Sequence, residues 1–567
     1  MTSEKRRQGM RRTVIGICIA LSVAMQIPCA DVGAAEGDLY VMANGTDRID
    51  LWEDGDDTYI FLPSYCDVGK TVFSIPSGMS VTIDGRAMTD GTSLADISEG
   101  MPHDLETDGE RGTLYVYKSE STAAMYISTE SGMDRVHADK ENKDKVDIRL
   151  YTDTGKLVYD GMPKDKISGH GNSTWELDKK PYDLHMDEAT DLLGMGKAKK
   201  WVLLADAYDE THMKNALVYR YARENAPYSG FAPDCEYVDL YADNEYMGLY
   251  LLTKSVKDTK LRSLDKELTH PYAFELTMTG KVGEDADSIA LNDAMSVEIK
   301  LPSKYSDAER QRLESIVLSV NDMLSKGGKG SVELDESSWA AKILLEMMFE
   351  NYDAANASQY FWGDLEGCSV YAGPCWDYDL SMGRFYVDWS TPYALMTFKD
   401  WNKGRDRSWY AGAWSISEIR DRVISMYRDG AGEKLSALID SVPAEAQRIA
   451  SSVRSDRIRW KDMCRYDSFD AAVADMQGFM YKRKSFLDSY LIKGDPYYRV
   501  TMELPNGRIL HRYVPTNTSF PELPAPSELS AYGEDLGDLR IWYRKDTGEV
   551  FTRNTLVTED TVLVAVK

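Results

Sequence analysis

The chain has 567 residues, 43% of them hydrophobic, with 12 Trp and 35 Tyr. That is enough apolar surface to exclude wholesale disorder, and too much chain for one core, so about three or four domains are expected. A formal charge of −27 repels phosphate backbones, which argues against nucleic-acid partners while favouring cations and basic substrates.

Residues 1–35 read as an export signal. Lys5, Arg6, Arg7, Arg11 and Arg12 form a basic start, residues 14–27 an apolar run, and Val32-Gly33-Ala34 a small-residue cleavage site. The apolar run is too short to span a bilayer comfortably, and no later segment looks transmembrane. A secreted or cell-surface protein without a membrane span is therefore expected, by ordinary secretion ahead of a twin-arginine route through Arg11-Arg12. Beyond the signal, Cys66, Cys235, Cys368, Cys375 and Cys464 match no zinc spacing. Cys368 and Cys375, astride the Gly373-Pro374 turn, are the most plausible disulfide, with buried unpaired thiols the equal alternative.

From 36 to 120 the chain runs in short β-type segments such as Thr58-Tyr59-Ile60-Phe61-Leu62 and Thr113-Leu114-Tyr115-Val116-Tyr117, separated by Asp84-Gly85 and Asp108-Gly109. This predicts a small Ig-like β-sandwich, read as a spacer. Mixed α/β character follows over about 121–305: strands at 124–128, 146–150, 182–186 and 201–205, a helix over 212–225, and a hairpin around Asp243-Asn244-Glu245. From about 306 to 493 the pattern is helical, with amphipathic stretches at 309–325 and 337–349. A run of helices from 415 to 491 is expected to break at Pro443 and near Tyr466-Asp467, and the many helix charges read as solvated faces. Residues 494–567 return to β segments and turns, with Pro521, Pro524 and Pro526 in a linker-like loop.

Three clusters carry chemistry. In Ser168-Gly169-His170-Gly171-Asn172-Ser173-Thr174-Trp175, glycines let backbone N–H groups approach phosphate oxygens, and a lysine in the following Lys179-Lys180-Pro181-Tyr182 could neutralise their charge. Asn351-Tyr352-Asp353 closes an apolar helical run. Cys375-Trp376-Asp377-Tyr378-Asp379-Leu380 offers two carboxylates for a hard cation, and a strand hairpin would bring Asp353 to Asp377. Taken singly, the glycine loop reads as a β-turn and the acids as a solvated loop.

Their serial order is that of protein kinases: phosphate loop, lysine, base, metal aspartate. With Trp201-Val202-Leu203-Leu204, Lys214-Asn215-Ala216-Leu217, Glu245-Tyr246-Met247-Gly248-Leu249-Tyr250-Leu251-Leu252-Thr253 and Ser358-Gln359-Tyr360-Phe361, the region from roughly 123 to 493 resembles the CotH kinase family of atypical protein kinases, named after a spore coat protein. The resemblance implies an α+β, two-lobed kinase-like domain flanked by small all-β domains. It also implies an exported, bacterial, Mg²⁺-dependent kinase, with Mn²⁺ a substitute, transferring the ATP γ-phosphoryl group to Ser or Thr of a protein. In that reading Lys180 holds the ATP phosphates under Gly169, His170, Gly171, Asn172 and Ser173, Asp353 accepts the substrate proton, and Asp377 binds the metal. Asp379 is either a second ligand or a loop-holding residue. The family's usual Arg-Gly-Asn-Ser is here His170-Gly171-Asn172-Ser173. Lys254 stands where an acid often pairs with the phosphate lysine, with Glu224 a candidate substitute.

The acidic surface suggests basic, Ser-rich protein substrates. The tail, closing on Thr558-Glu559-Asp560-Thr561-Val562, resembles the β-grasp-like repeats of bacterial surface proteins, and with the N-terminal β domain it suggests cell-surface or polysaccharide contact. The competing reading is a non-catalytic adhesion or carbohydrate-associated protein built on a degenerate kinase-like fold.

Overall fold

A computed structural model describes residues 38–162, 164–283, 286–326, 330–354, 357–383, 392–393, 395, 408–494, 497–507, 509–515, 518–519, 523, 529 and 539–566. The expected export signal lies outside the described residues, as do Pro521, Pro524 and Pro526 of the expected linker. The chain divides into two units after Asp38, and the second begins at Leu39.

The architecture of this second unit is mixed α+β. Its centre is a sheet that closes on itself. Ala123–Thr129, Cys235–Ala242, Glu245–Lys254, Lys197–Leu204, Tyr182–Asp191, Lys166–Gly169 and Asp144–Tyr151 neighbour one another in that order, and Asp144–Tyr151 pairs back onto Ala123–Thr129. Alternation decides what each strand buries, because successive side chains point to opposite faces. Met125, Ile127, Trp201, Leu203, Val238, Leu240, Tyr250 and Leu252 fill the inside. Ala124, Tyr126 and Tyr241 face outward into the core of the N-terminal sheets, while Val202, Tyr237, Leu249 and Leu251 face the helical core.

Residues 40–118 form a three-stranded and a six-stranded sheet, the latter with Asp57–Leu62 parallel to Glu110–Lys118. Their core of Val41, Ile60, Phe73 and Leu114 runs directly into Tyr126, Tyr241 and Tyr246 of the closed sheet. A second six-stranded sheet takes Pro271–Met278, Ser288–Ala290 and Met295–Leu301 from one side of residue 305, and Glu333–Leu334, Gln359–Asp364 and Ser369–Ala372 from the other. At the C-terminus, Tyr497–Glu503 pairs antiparallel with Ile509–Pro515 and parallel with Thr561–Val566.

Three expectations are corrected. Helix Gly432–Arg459 runs straight through Pro443. Proline removes the N–H that would bond the carbonyl of Ile439, and the side-chain amide of Gln477 donates to that carbonyl instead, at 2.9 Å. A break falls instead at Gly430, whose φ of +129° is open to glycine, while the one expected near Tyr466-Asp467 is present between Arg459 and Phe469. In helix Glu336–Phe349 the expected solvated face holds only for Glu336 in the first turn, since Lys342 and Glu346 are fully buried and paired with each other. Cys368 and Cys375 do not form a disulfide: they lie at opposite ends of strand Ser369–Ala372, and all five described cysteines are free thiols.

Candidate functional site

Helix Glu336–Phe349 starts on an Asp335 side chain that accepts from the Ser338 amide, and stops at Glu350, whose φ is +49°. The chain then passes Asn351 and Asp353, makes the Gln359–Asp364/Ser369–Ala372 hairpin, and returns as 375–382. The outgoing and returning segments are laced together. Tyr352 N–H donates to the Leu380 carbonyl (3.1 Å), Met382 N–H to that of Phe349 (2.8 Å), and the Asn351 side chain to that of Asp377 (3.3 Å). The hairpin thus brings Asp353 to Asp377, as the sequence suggested.

Asp377 has φ of +67° and Ser358, its hydrogen-bond partner through Oγ at 3.0 Å, has φ of +55°. Asp206, His212, Glu350 and Met382 are also left-handed. Non-glycine residues in this region store strain of about 1–3 kcal/mol each and gather where the surroundings over-determine them. Helix Lys214–Glu224 supplies the clamp. The Asn215 side-chain oxygen accepts from Tyr378 N–H (2.8 Å) while its amide donates to Asp206 (2.9 Å), and Lys214 Nζ reaches the Asp379 carbonyl at 3.4 Å.

Four carboxylates therefore share one neighbourhood: Asp206, Asp353, Asp377 and Asp379. Burial, and then the charge of Asp353, raise the Asp377 carboxyl above its ordinary range, opposed by the Ser358 hydroxyl, Lys281 and His170. Asp379 is driven well up by burial and by Asp377, Asp206 and Asp353, against Lys214. Asp206 is pushed up to about 7, by burial first and Asp209 second. Asp353, Asp377 and Asp379 remain partly open to solvent, so a ligand can reach them. Excess negative charge held among oxygen donors suits a hard divalent cation, and Mg²⁺ is usually held by one or two carboxylates plus substrate phosphates. No three carboxylates here form a ready cage. Among the described residues the one group with three ligand atoms within 4.8 Å is His270, Asp364 and Glu366, at the far end of the hairpin.

The glycine loop meets this cluster at His170. His170 lies edge-on to the Trp376 indole at 6.2 Å, with its Nδ1 3.0 Å from Asp183, whose other oxygen is 2.7 Å from Lys200 Nζ. Gly169 leaves room for Trp175, whose ring would sit 2.6 Å from an added Cβ. Gly171, at φ +78°, would clash with the Thr174 hydroxyl at 2.3 Å. Lys140 Nζ donates to the Gly171 carbonyl (3.1 Å) and approaches the Asn172 side-chain oxygen (3.4 Å), and Ser173 opens a single 3₁₀ turn to Glu176.

Lys180 is directed elsewhere. Its amine donates to the carbonyls of Trp175 (2.8 Å) and Leu177 (3.0 Å), and burial lowers its pKa. The acids acting on it are Glu176 and Asp178, not Glu224. Lys254 pairs with Asp234. Lys179 is buried against Asp456 at 2.5 Å and donates to the Leu249 carbonyl.

Sequence reasoning missed Asp206 and Lys281, and the roles of Asn351, Lys214 and Asn215. The Lys214-Asn215 word was visible, but nothing in its spacing pointed to Asp206 or the 377–379 loop. The sequence model described as CotH kinase protein matches residues 167–487, more than half of the chain. The chain belongs to that family of kinase-like proteins. Among curated proteins none matches it.

Proposed function

We propose that the chain is an exported protein kinase that transfers the γ-phosphoryl group of ATP to Ser or Thr hydroxyls, with Mg²⁺ or Mn²⁺ at Asp377. The observation that carries this reading is the acidic cluster on which the Asp353 and Asp377 segments converge, facing His170 of the glycine loop, in a chain of the CotH kinase family. The metal would neutralise phosphate charge when bound. Asp353 takes the proton of the substrate hydroxyl as that oxygen bonds the γ-phosphorus and the bond to ADP breaks. Asp377 offers a carboxylate oxygen to the cation. Asp379 holds the loop through its carbonyl on Lys214 or adds a second ligand. Lys281 supplies positive charge beside Asp377, where His170 also stands, with Lys180 joining if its amine exchanges the Trp175 and Leu177 carbonyls for phosphate oxygens.

A kinase-like two-lobed arrangement, with ATP between the closed sheet and the helical region, fits this assignment. The net charge of −27 favours basic, Ser-rich targets. The terminal β regions are read as surface-contact modules of a secreted or cell-surface protein, the C-terminal one as a bacterial surface repeat.

Labelled phosphate from ATP should appear on a basic Ser-rich peptide with the wild type and not with Asp377→Ala. Equal labelling by both would end the proposal. The engaged Lys180 favours one competitor, a non-catalytic surface protein for adhesion or carbohydrate contact. Millimolar ATP with Mg²⁺ should raise the melting temperature of a kinase by mass action, and an unchanged melting temperature would favour the competitor.

A further inference from the structure

Lys342 and Glu346, one turn apart on helix Glu336–Phe349, form an ion pair with both side chains at 0% exposure. Among the described residues the pair has one further hydrogen-bond partner, the Tyr378 hydroxyl, which donates to Glu346 Oε1 (2.6 Å) and accepts from Lys342 Nζ (2.9 Å). Glu346 Oε2 is buried without a hydrogen bond. Such an arrangement is a poor device for stability: desolvating two charges offsets most of their attraction, and apolar residues of similar volume usually serve as well or better. Its value must lie in what it holds, and it holds the residue between Asp377 and Asp379.

Tyr378 is gripped at both ends, its amide by Asn215 and its hydroxyl by the buried pair. On one side of it Asp377 sits at φ +67°, and on the other the Asp379 carbonyl is met by Lys214. A left-handed aspartate persists only where its neighbours leave it no alternative. We infer that Lys342 and Glu346 are positioning residues that clamp Tyr378 and so fix the conformation in which Asp377 presents its carboxylate. They act from behind the site, through a hydroxyl, without touching nucleotide or metal. The inference rests on the phosphotransfer reading for its purpose, though not for its mechanics.

The test uses the full chain, a single variant Tyr378→Phe, and a triple variant Lys342→Met, Glu346→Leu, Tyr378→Phe that leaves no charge unpaired. The triple variant should fold with a melting temperature equal to the wild type or higher. Hydrogen exchange of the 376–380 amides, which needs no ligand, should be about tenfold faster in it. Mn²⁺ titrated in the presence of ATP and followed by electron paramagnetic resonance should bind about 10–100-fold more weakly, as supporting-residue losses at metal sites typically do. Peptide KM should stay within about twofold while kcat falls by a similar factor. Unchanged amide exchange in the triple variant overturns the clamp whatever happens to activity. Faster exchange in the variants beside a wild type that binds no Mn²⁺ would support the clamp and sink the phosphotransfer reading.

Discussion

Two buried charge clusters abut behind the closed sheet, and their carboxyls shift in opposite directions although burial raises both. In one, Asp456 from the long helix Gly432–Arg459 receives Lys179 at 2.5 Å, His212 at 3.3 Å and the Leu249 amide at 2.9 Å, and its carboxyl is lowered to about 2. In the other, Asp206 has the same depth but a carboxylate neighbour, and rises to about 7. The sign is set by the partners and not by the depth. A balanced cluster joins two elements, whereas an unbalanced one sits in a state that a cation would relieve.

The largest effect should come from unbalancing the balanced cluster. Asp456→Asn leaves Lys179 in the interior without its counter-ion, and breaking a buried pair in this way costs about 3–5 kcal/mol, to be read from urea denaturation. A depressed carboxyl contributes stability that is present above its ordinary value of 3.8 and lost as pH falls through about 2. The variant should therefore lose the wild type's steepest acid-unfolding step. A cost below about 1 kcal/mol would put Lys179 and Asp456 among ordinary surface pairs and remove the contrast.

Neutralising the unbalanced cluster should do the reverse. Asp377→Asn removes one of four clustered carboxylates at constant shape, and such relief of a strained functional site commonly yields about 0.5–2 kcal/mol of stability. Phosphoryl transfer should meanwhile fall at least about 100-fold, the scale on which a lost charge-stabilising group is felt. A variant that is less stable and equally active would mean that the acids are structural.

The contrast also shows what could be read from the sequence. The meeting of Asp353 and Asp377 was legible, because an apolar helical run, a hairpin and a turn have local signatures. The partnering of charges was not. Lys179 and Lys180 are adjacent letters, yet one faces Asp456, 277 positions on, and the other caps a neighbouring turn. Asp206 follows an apolar strand as any loop acid would. Lys342 and Glu346 have the i, i+4 spacing of a solvated helix pair, and only the surrounding sheet and helices decide that this face is inside. Helix ends and strand alternation come from short-range chemistry, whereas charge compensation comes from the packing of elements distant in sequence.

A gentler test uses pH. Asp206, Asp377 and Asp379 all have raised carboxyls, so between their ordinary range and about 7 the folded chain holds protons that the unfolded chain has released. Metal-free stability should fall as pH rises across that window, and Mg²⁺ with ATP should flatten the fall. Asp206→Asn should reduce the slope even without ligand. A wild-type slope of the opposite sign, followed by chemical denaturation at constant ionic strength, would show that the cluster is already compensated.

The smallest effect belongs to a pair that matches the Lys179–Asp456 contact in chemistry and differs in exposure. Lys461 beside the long helix meets Asp54 of the N-terminal sheets with side chains 55% and 31% exposed. Water screens both partners, and such pairs contribute about 0–1 kcal/mol. Lys461→Ala should thus shift stability by no more than about 0.5 kcal/mol, although it removes a contact between residues 407 positions apart. The junction should survive because buried groups also cross it. Ser452 on the helix bonds Ser119 and Thr122 at the edge of the N-terminal sheets and Asp239 of the closed sheet, at 2.8–3.1 Å. If Lys461→Ala cost as much as Asp456→Asn, exposure would not separate strong pairs from weak ones here, and the two interior clusters would lose their claim to differ by compensation alone.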